Sequence, residues 1–432
     1  MKRLAHFRHA DPGVMRHPWG FGACGVGALA AYVGMILASP WDEHFGAFLA
    51  CYAVAFAACW GVSRTRAGLV GIILAAGVYR AVLLPLPPML SDDIYRYVWE
   101  GRVQSTGANP YLQPPVDPGL EKLRDTDWER VNHPEATAIY PPLAQLFFRG
   151  LAALGGVFVF KAAFVAIDLV LILLLAAAMK ARRVSASRLA LYAWNPLVIV
   201  EVAGSGHLEP LAILPMVAAV LWVERRPLGA WSALAVSVAM KYAGVLAAPL
   251  LWRARRPRLW HVLAFVTLVM VFTLPYLGAG KQLFASLELY ATKWRFNDLL
   301  FAPLAALSGS LGVAKSIATL FLLAVLVALL LFRVALERST QLLFCSALLL
   351  SPTIHPWYLL WAVALLPLAP SPFLFVWSGS VILAYLHLFP LGNFGPLAPS
   401  HWLPRVLEIA PLLVVCMWLL RNGNRPFRRG RA

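Results

Sequence analysis

Long apolar runs separated by short polar breaks fill almost the whole chain, and one polar stretch, 91–142, interrupts them. The runs lie at 19–39, 47–62, 68–88, 157–179, 188–204, 209–223, 259–277, 312–332, 340–353, 357–371, 373–390 and 403–420. A helix needs roughly 20 apolar residues to cross a bilayer, and strand-type alternation is absent. The pattern predicts an all-α polytopic membrane protein of about twelve crossings, a single integral-membrane domain over 1–432. A further run, 228–252, breaks the alternation, because both its flanks are basic and Lys241 sits at its middle. It reads as a re-entrant hairpin of two half-helices meeting at Lys241. The alternative is one long span with a snorkelling lysine. The segment 143–156 reads as a short helix at the outer interface.

Charge adds orientation. The basic breaks, from Lys2, Arg3, Arg8 and Arg16 at one end to Arg421, Arg425, Arg428, Arg429 and Arg431 at the other, hold 23 of the 37 Lys and Arg residues. The positive-inside rule puts these breaks, and both termini, in the cytoplasm; in a Gram-negative bacterial cell the membrane is then the inner membrane. The stretch 91–142 then falls outside, facing the periplasm or exterior. It carries nine of the 20 acids, against five Lys and Arg. The formal charge of +17 punctuates the spans, which argues against a nucleic-acid partner. The five cysteines lie in or beside apolar runs without CxxC spacing and read as small core residues. No GxxxxGK[ST] or GxGxxG is present, so a nucleotide substrate has no obvious seat.

The polar stretch opens SDDIYRYVWEGRVQSTGANPY. Asp92 and Asp93 are adjacent, so on a helix they diverge by about 100°. One faces a cavity as a general base while the other caps the helix that follows. In that helix Tyr95, Trp99 and Arg102 share a face, which suits either an aromatic belt or a sugar-stacking surface. Lys241 and Arg295 are the cations best placed for an anion at the membrane boundary, and the alternative partner of Lys241 is Asp168, an isolated acid in an apolar run. Arg80 and Lys293 read as snorkelling residues. His207 and His355 sit at outer turns, GSGHLEP and SPTIHPWY. A metal site built from Asp92, Asp93, His207 and His355 has no ligand spacing on one element to support it.

Taken together, SDDIYRYVWEGR, GRVQSTGANPY, NHPEATAIYPPLAQ, GSGHLEPLA and SPTIHPWYLLW resemble the GT-C membrane glycosyltransferases, in particular their bacterial polyprenol-phosphate-mannose-dependent mannosyltransferases. The resemblance spans about residues 70–360. It implies an inverting transfer of a sugar, mannose favoured, from a polyprenyl-phosphate carrier to a hydroxyl on a lipid or glycan acceptor, without a cofactor. It implies Asp92 as catalytic base, with Asp93 standing where relatives often have Glu. It further implies Lys241 at the carrier phosphate and a functional role for His355. Arg96, Arg102, Tyr95, His207 and Arg295 complete the expected substrate-binding set. The rival class is a transporter or flippase of a lipid-linked or small anionic solute, with Asp168 and Lys241 marking the path. A metal-dependent lipid phosphatase or ligase using the carboxylates is a third reading.

Overall fold

The computed structural model describes residues 19–332, 334–389 and 402–422. The terminal basic clusters from Lys2 to Arg16 and from Arg425 to Arg431, and Arg333, lie outside the described residues. Helices α1 (Trp19–Leu37), α2 (Phe45–Ser63) and α3 (Leu69–Leu83) precede the polar stretch. That stretch opens with α4 (Asp93–Ser105), runs through irregular chain with two short 3-10 turns, and returns in α5 (Pro142–Ala152). Then come α6 (Val157–Ala181), two single turns α7 (Ala190–Ala193) and α8 (Pro196–Ile199), a π turn (Val200–Gly204), and α9 (Glu209–Trp222).

The run predicted to hinge at Lys241 does break there. Helix α10 (Pro227–Met240) starts with Pro at its first position, where no amide donor is needed. It stops because Lys241 is extended, with φ −155° and ψ 124°. A 3-10 turn (Tyr242–Ala247) and α11 (Ala248–Ala254) follow. The chain folds back closely on α10: a Cβ on Gly244 would come within 2.5 Å of Ser237 Oγ, so only glycine fits.

The remainder is α12 (Leu259–Thr273), α13 (Ala285–Lys293), α14 (Phe301–Ser308), α15 (Leu311–Leu331), α16 (Leu336–Leu349), α17 (Leu360–Val363), α18 (Pro372–Ser380) and α19 (Trp402–Asn422). Six stretches among the described residues are long and apolar enough to cross a membrane unaided: 20–37, 45–63, 157–181, 259–293, 311–331 and 402–422. Helix α3, α9, α10 and the 372–387 segment are apolar but shorter.

Two expected crossings are not continuous helices. Residues 188–204 divide into α7, α8 and the π turn, and 357–371 into a 3-10 turn, α17 and further turns. Most residues of both segments are buried and none is exposed. Protein, not lipid, surrounds them, and irregular backbone is tolerated at that depth only under such cover. The core is one apolar mass that runs from α1 to α18 and encloses both segments.

The isolated acid in α6 also finds a different partner from the one expected. Asp168 accepts from Arg80 Nε at 2.6 Å and from the Tyr192 hydroxyl, and both ends of the ion pair are fully buried. Arg80 is therefore an internal anchor between α3 and α6 and does not snorkel.

Candidate active site

A cavity of about 600 Å³ opens where α4, the loop before α5, the break at Lys241, α13 and the SPTIHPWY turn converge. Its polar walls carry Asp92, Asp93, Asn132, Tyr140, Lys241 and His355. The apolar side chains of Leu246, Leu289, Phe344, Ala347 and Leu348 also line it.

Asp92 is the residue before α4, with non-helical φ −102° and ψ 0°, and its side chain makes no capping bond. The helical divergence expected for neighbours therefore does not apply. Both carboxylates reach the cavity, and the amide nitrogen of Asn132 donates to both, at 2.7 Å to Asp92 Oδ1 and 2.8 Å to Asp93 Oδ1. Asp92 is exposed, whereas Asp93 is 22% exposed and held from within. Asp93 Oδ2 accepts from the hydroxyls of Tyr140 at 3.3 Å and Tyr97 at 3.5 Å. Burial first, then the adjacent Asp92 charge, pushes the Asp93 carboxyl above the usual range. Neither carboxylate caps α4; Asp93 is a member of the pair.

Arg96 explains why Asn132 is in place. Its Nε donates to Glu100 at 2.9 Å. Its two terminal nitrogens donate to the carbonyls of Asn132, His133, Ala136 and Thr137, at 3.0, 2.8, 2.5 and 2.8 Å. A guanidinium has five N–H donors, and here all five are used. Arg96 lines the cavity but has no donor left for a substrate. It is a buried clamp on the loop that carries Asn132.

Three other expected ligands lie away from the cavity. The Tyr95 hydroxyl accepts from Arg130 at 2.6 Å. Arg102 pairs with Asp125 and, at 3.4 Å, with Asp127. Arg295 pairs with Asp298 in its own loop, and Asp298 also binds Arg405 at 2.7 Å, so Asp298 ties the loop after α13 to α19. Each already has a partner within the fold, Arg130 for Tyr95 and nearby acids for the two arginines.

Lys241 is 17% exposed and lies on the cavity wall, with its Nζ 4.8 Å from the centre of the Tyr358 ring. Its ion-pair partner is Glu209, the first residue of α9, which is fully buried. Asp168, the alternative partner, belongs to Arg80, so Asp168 and Lys241 do not mark one path.

The two outer-turn histidines are joined by a ring stack. Phe296, His355, Trp357 and His207 lie face to face at successive spacings of 4.8, 4.4 and 3.8 Å. Backbone bonds of Phe296 with Pro352 at 3.1 Å and Ile354 at 2.8 Å set that register. His355 lines the cavity; His207 lies behind Asp93, its Nδ1 3.9 Å from Asp93 Oδ2. Gly206 lets the turn approach α4, with φ +78° and a virtual Cβ 2.4 Å from Ile94 Cδ1. Burial, then the Lys241 charge, lowers His355 from 6.5 to about 3, so it is neutral at physiological pH.

Sequence reasoning missed Asn132 and Tyr140 in the cavity wall, and Glu201 and Glu209 as buried acids paired with the lining residues Tyr385 and Lys241. The first two stand in the NHPEATAIYPP string. Glu201 and Glu209 are isolated acids beside or within apolar runs, which is itself a signal of function or pairing. No group of three or more His, Cys, Asp or Glu among the described residues is arranged to hold a metal ion.

One cavity thus brings together a carboxylate pair, a lysine and several apolar side chains. No curated protein and no solved structure matches the chain. The family model described as alpha-(1->6)-mannopyranosyltransferase, N-terminal domain, matches residues 20–255, more than half of the chain, and this chain belongs to that family of glycosyltransferases.

Proposed function

We propose that the protein transfers mannose from a polyprenyl-phosphate carrier to an acceptor hydroxyl at the outer face of the inner membrane, with inversion at the anomeric carbon. The observation that carries this reading is the meeting of Asp92, Asp93 and Lys241 around one cavity whose lining also includes Leu246, Phe344, Ala347 and Leu348. These apolar side chains suit a polyprenyl chain entering sideways from the bilayer. Lys241 suits the carrier phosphate, and Asp92, the more exposed carboxylate, suits an acceptor arriving from outside.

In this mechanism Asp92 takes the acceptor proton as the oxygen attacks the anomeric carbon. The carbon–phosphate oxygen bond breaks, and the electron pair leaves with the phosphate, whose growing charge Lys241 stabilises. Asn132 holds the two carboxylates in one geometry. His355 is neutral and serves as a hydrogen-bonding group to sugar or phosphate. An inverting enzyme that forms an α linkage consumes a β-linked donor. The α-(1->6) linkage in the family description supports a β-linked polyprenyl-phosphate mannose.

Purified protein, a labelled polyprenyl-phosphate mannose and a lipid extract as acceptor test the reading. A new mannosylated product with α configuration is expected. Movement of intact donor across a sealed bilayer without bond cleavage would replace the enzyme by the transporter.

A further inference from the structure

A second cavity, of about 640 Å³, lies at the base of the hairpin whose apex is Lys241. Its walls include Trp231 of α10, Pro249, Trp252 and Arg253 of α11, Arg256 just beyond it, and Leu330 near the end of α15. It shares no lining residue with the active-site cavity. At 1.5 Å per residue, Trp231 lies about 15 Å along α10 from Lys241. The Trp231 and Trp252 rings meet edge to face at 6.3 Å and close the hairpin there. The two arginines are not alike. The terminal nitrogens of Arg253 donate to the carbonyls of Leu329, Phe332 at 3.0 Å and Val334 at 2.8 Å, and to the Ser339 hydroxyl at 3.2 Å. Those donors are spent in pinning α11 to the end of α15. Arg256 is exposed and, among the described residues, has no hydrogen-bond or ion-pair partner. Along 224–226 and 253–258 one acid, Glu224, stands against six arginines. Trp252, Leu259, Trp260 and Phe332 are all exposed at this end of the helices. Exposed indoles beside arginines at the ends of apolar helices mark the headgroup level of a bilayer.

We propose that this cavity binds one anionic phospholipid, with its phosphate on Arg256 and its acyl chains against Trp252 and Leu330. Charge selects the headgroup. Arg256 has all its donors free for a phosphate, and no carboxylate lines the cavity to meet the ammonium of a zwitterionic lipid. The apolar walls select a lipid over a free phosphate, because Trp231, Pro249, Trp252 and Leu330 gain only by covering hydrocarbon. A lipid seated here touches α10, α11 and α15 together, so it braces the hairpin from the end opposite Lys241. The site is separate from the transfer reaction and does not depend on which residue is the base.

The test is thermal unfolding and native mass spectrometry of the purified full chain in neutral detergent. Phosphatidylglycerol, phosphatidylcholine with the same acyl chains, or inorganic phosphate is added. Phosphatidylglycerol is expected to raise Tm saturably, with one lipid retained per chain, while the other two leave Tm nearly unchanged. Arg256→Gln replaces an exposed residue without a partner in the fold, so its lipid-free Tm should stay at the wild-type value. Its apparent affinity for phosphatidylglycerol should fall at least about fivefold. Arg258 lies over the Trp260 ring, outside the cavity, so Arg258→Gln removes the same charge and should change that affinity by less than about twofold. No effect of phosphatidylglycerol, or equal stabilisation by both lipids, overturns the proposal in favour of ordinary bilayer contact. Equal stabilisation by inorganic phosphate overturns the lipid and leaves a small-anion site. Equal weakening in Arg256→Gln and Arg258→Gln overturns the site in favour of diffuse charge attraction.

Discussion

Lys241 and Glu209 form an ion pair at the point where α10 breaks, with the carboxylate fully buried and the ammonium still facing the cavity. The extended residue that ends the helix is the same residue that supplies the cation. A phosphate entering the cavity must therefore share Lys241 with Glu209.

This sets the first prediction. Lys241→Ala leaves a buried carboxylate unpaired, which typically costs about 3–5 kcal/mol. The double variant Lys241→Ala with Glu209→Gln removes that charge and should recover most of the lost stability. Neither variant should recover donor affinity. Thermal unfolding and donor binding, measured together, check this; restored binding in the double variant would show that Lys241 serves only the scaffold.

The carboxylate pair gives the second. Asp92→Asn should lose at least about 10²-fold in turnover while keeping donor affinity, as expected for removal of a positioned general base. Asp93→Asn should also lose turnover, because this side chain joins Asn132, Tyr140 and Tyr97 to the pair. Full turnover in Asp92→Asn, measured with product analysis, refutes the assignment.

Arg96 gives the third. Arg96→Ala strands Glu100 in a buried site and frees four carbonyls, so a loss of about 3–5 kcal/mol is expected. Arg96→Lys keeps the charge but lacks the planar five-donor fork, and should recover little. If Arg96 instead bound substrate, Arg96→Lys would keep its Tm and raise the donor or acceptor KM; paired Tm and KM measurements separate the two.

The fourth concerns pH. His355 has a folded pKa of about 3, below its ordinary 6.5, so between those values the unfolded chain binds more protons. Its contribution to stability is present above 6.5 and is lost as pH falls toward 3. Asp93 acts in the opposite sense, since its raised pKa makes the folded state the better proton binder at acid pH. Replacing His355 by Gln should therefore flatten the acid-side fall in Tm. An unchanged slope in that variant would place the acid sensitivity elsewhere.

Several features were legible in the residues alone because they follow from local physics. Apolar runs at helical length gave a helical membrane protein, and the isolated Lys241 marked the break in α10. The strings SDDIYRYVWEGR, NHPEATAIYPPLAQ and SPTIHPWYLLW stood out in the sequence, and all three contribute residues to one cavity. What the chain order could not supply was partnership. Asp168 and Lys241 were both unpaired acids or bases in apolar surroundings, yet packing gave the first to Arg80 and the second to Glu209. Arg96, Arg102 and Arg295 looked alike as outer cations, but each was claimed by acids or carbonyls brought near by the fold. The segments 188–204 and 357–371 read as spans because hydropathy measures burial without distinguishing lipid from protein; only the tertiary structure shows that protein surrounds them and lets their helices break. Sequence determines which residues need a partner or a dry environment, and tertiary packing decides which partner each one meets, since contacts between separate helices and loops depend on the whole arrangement of the fold.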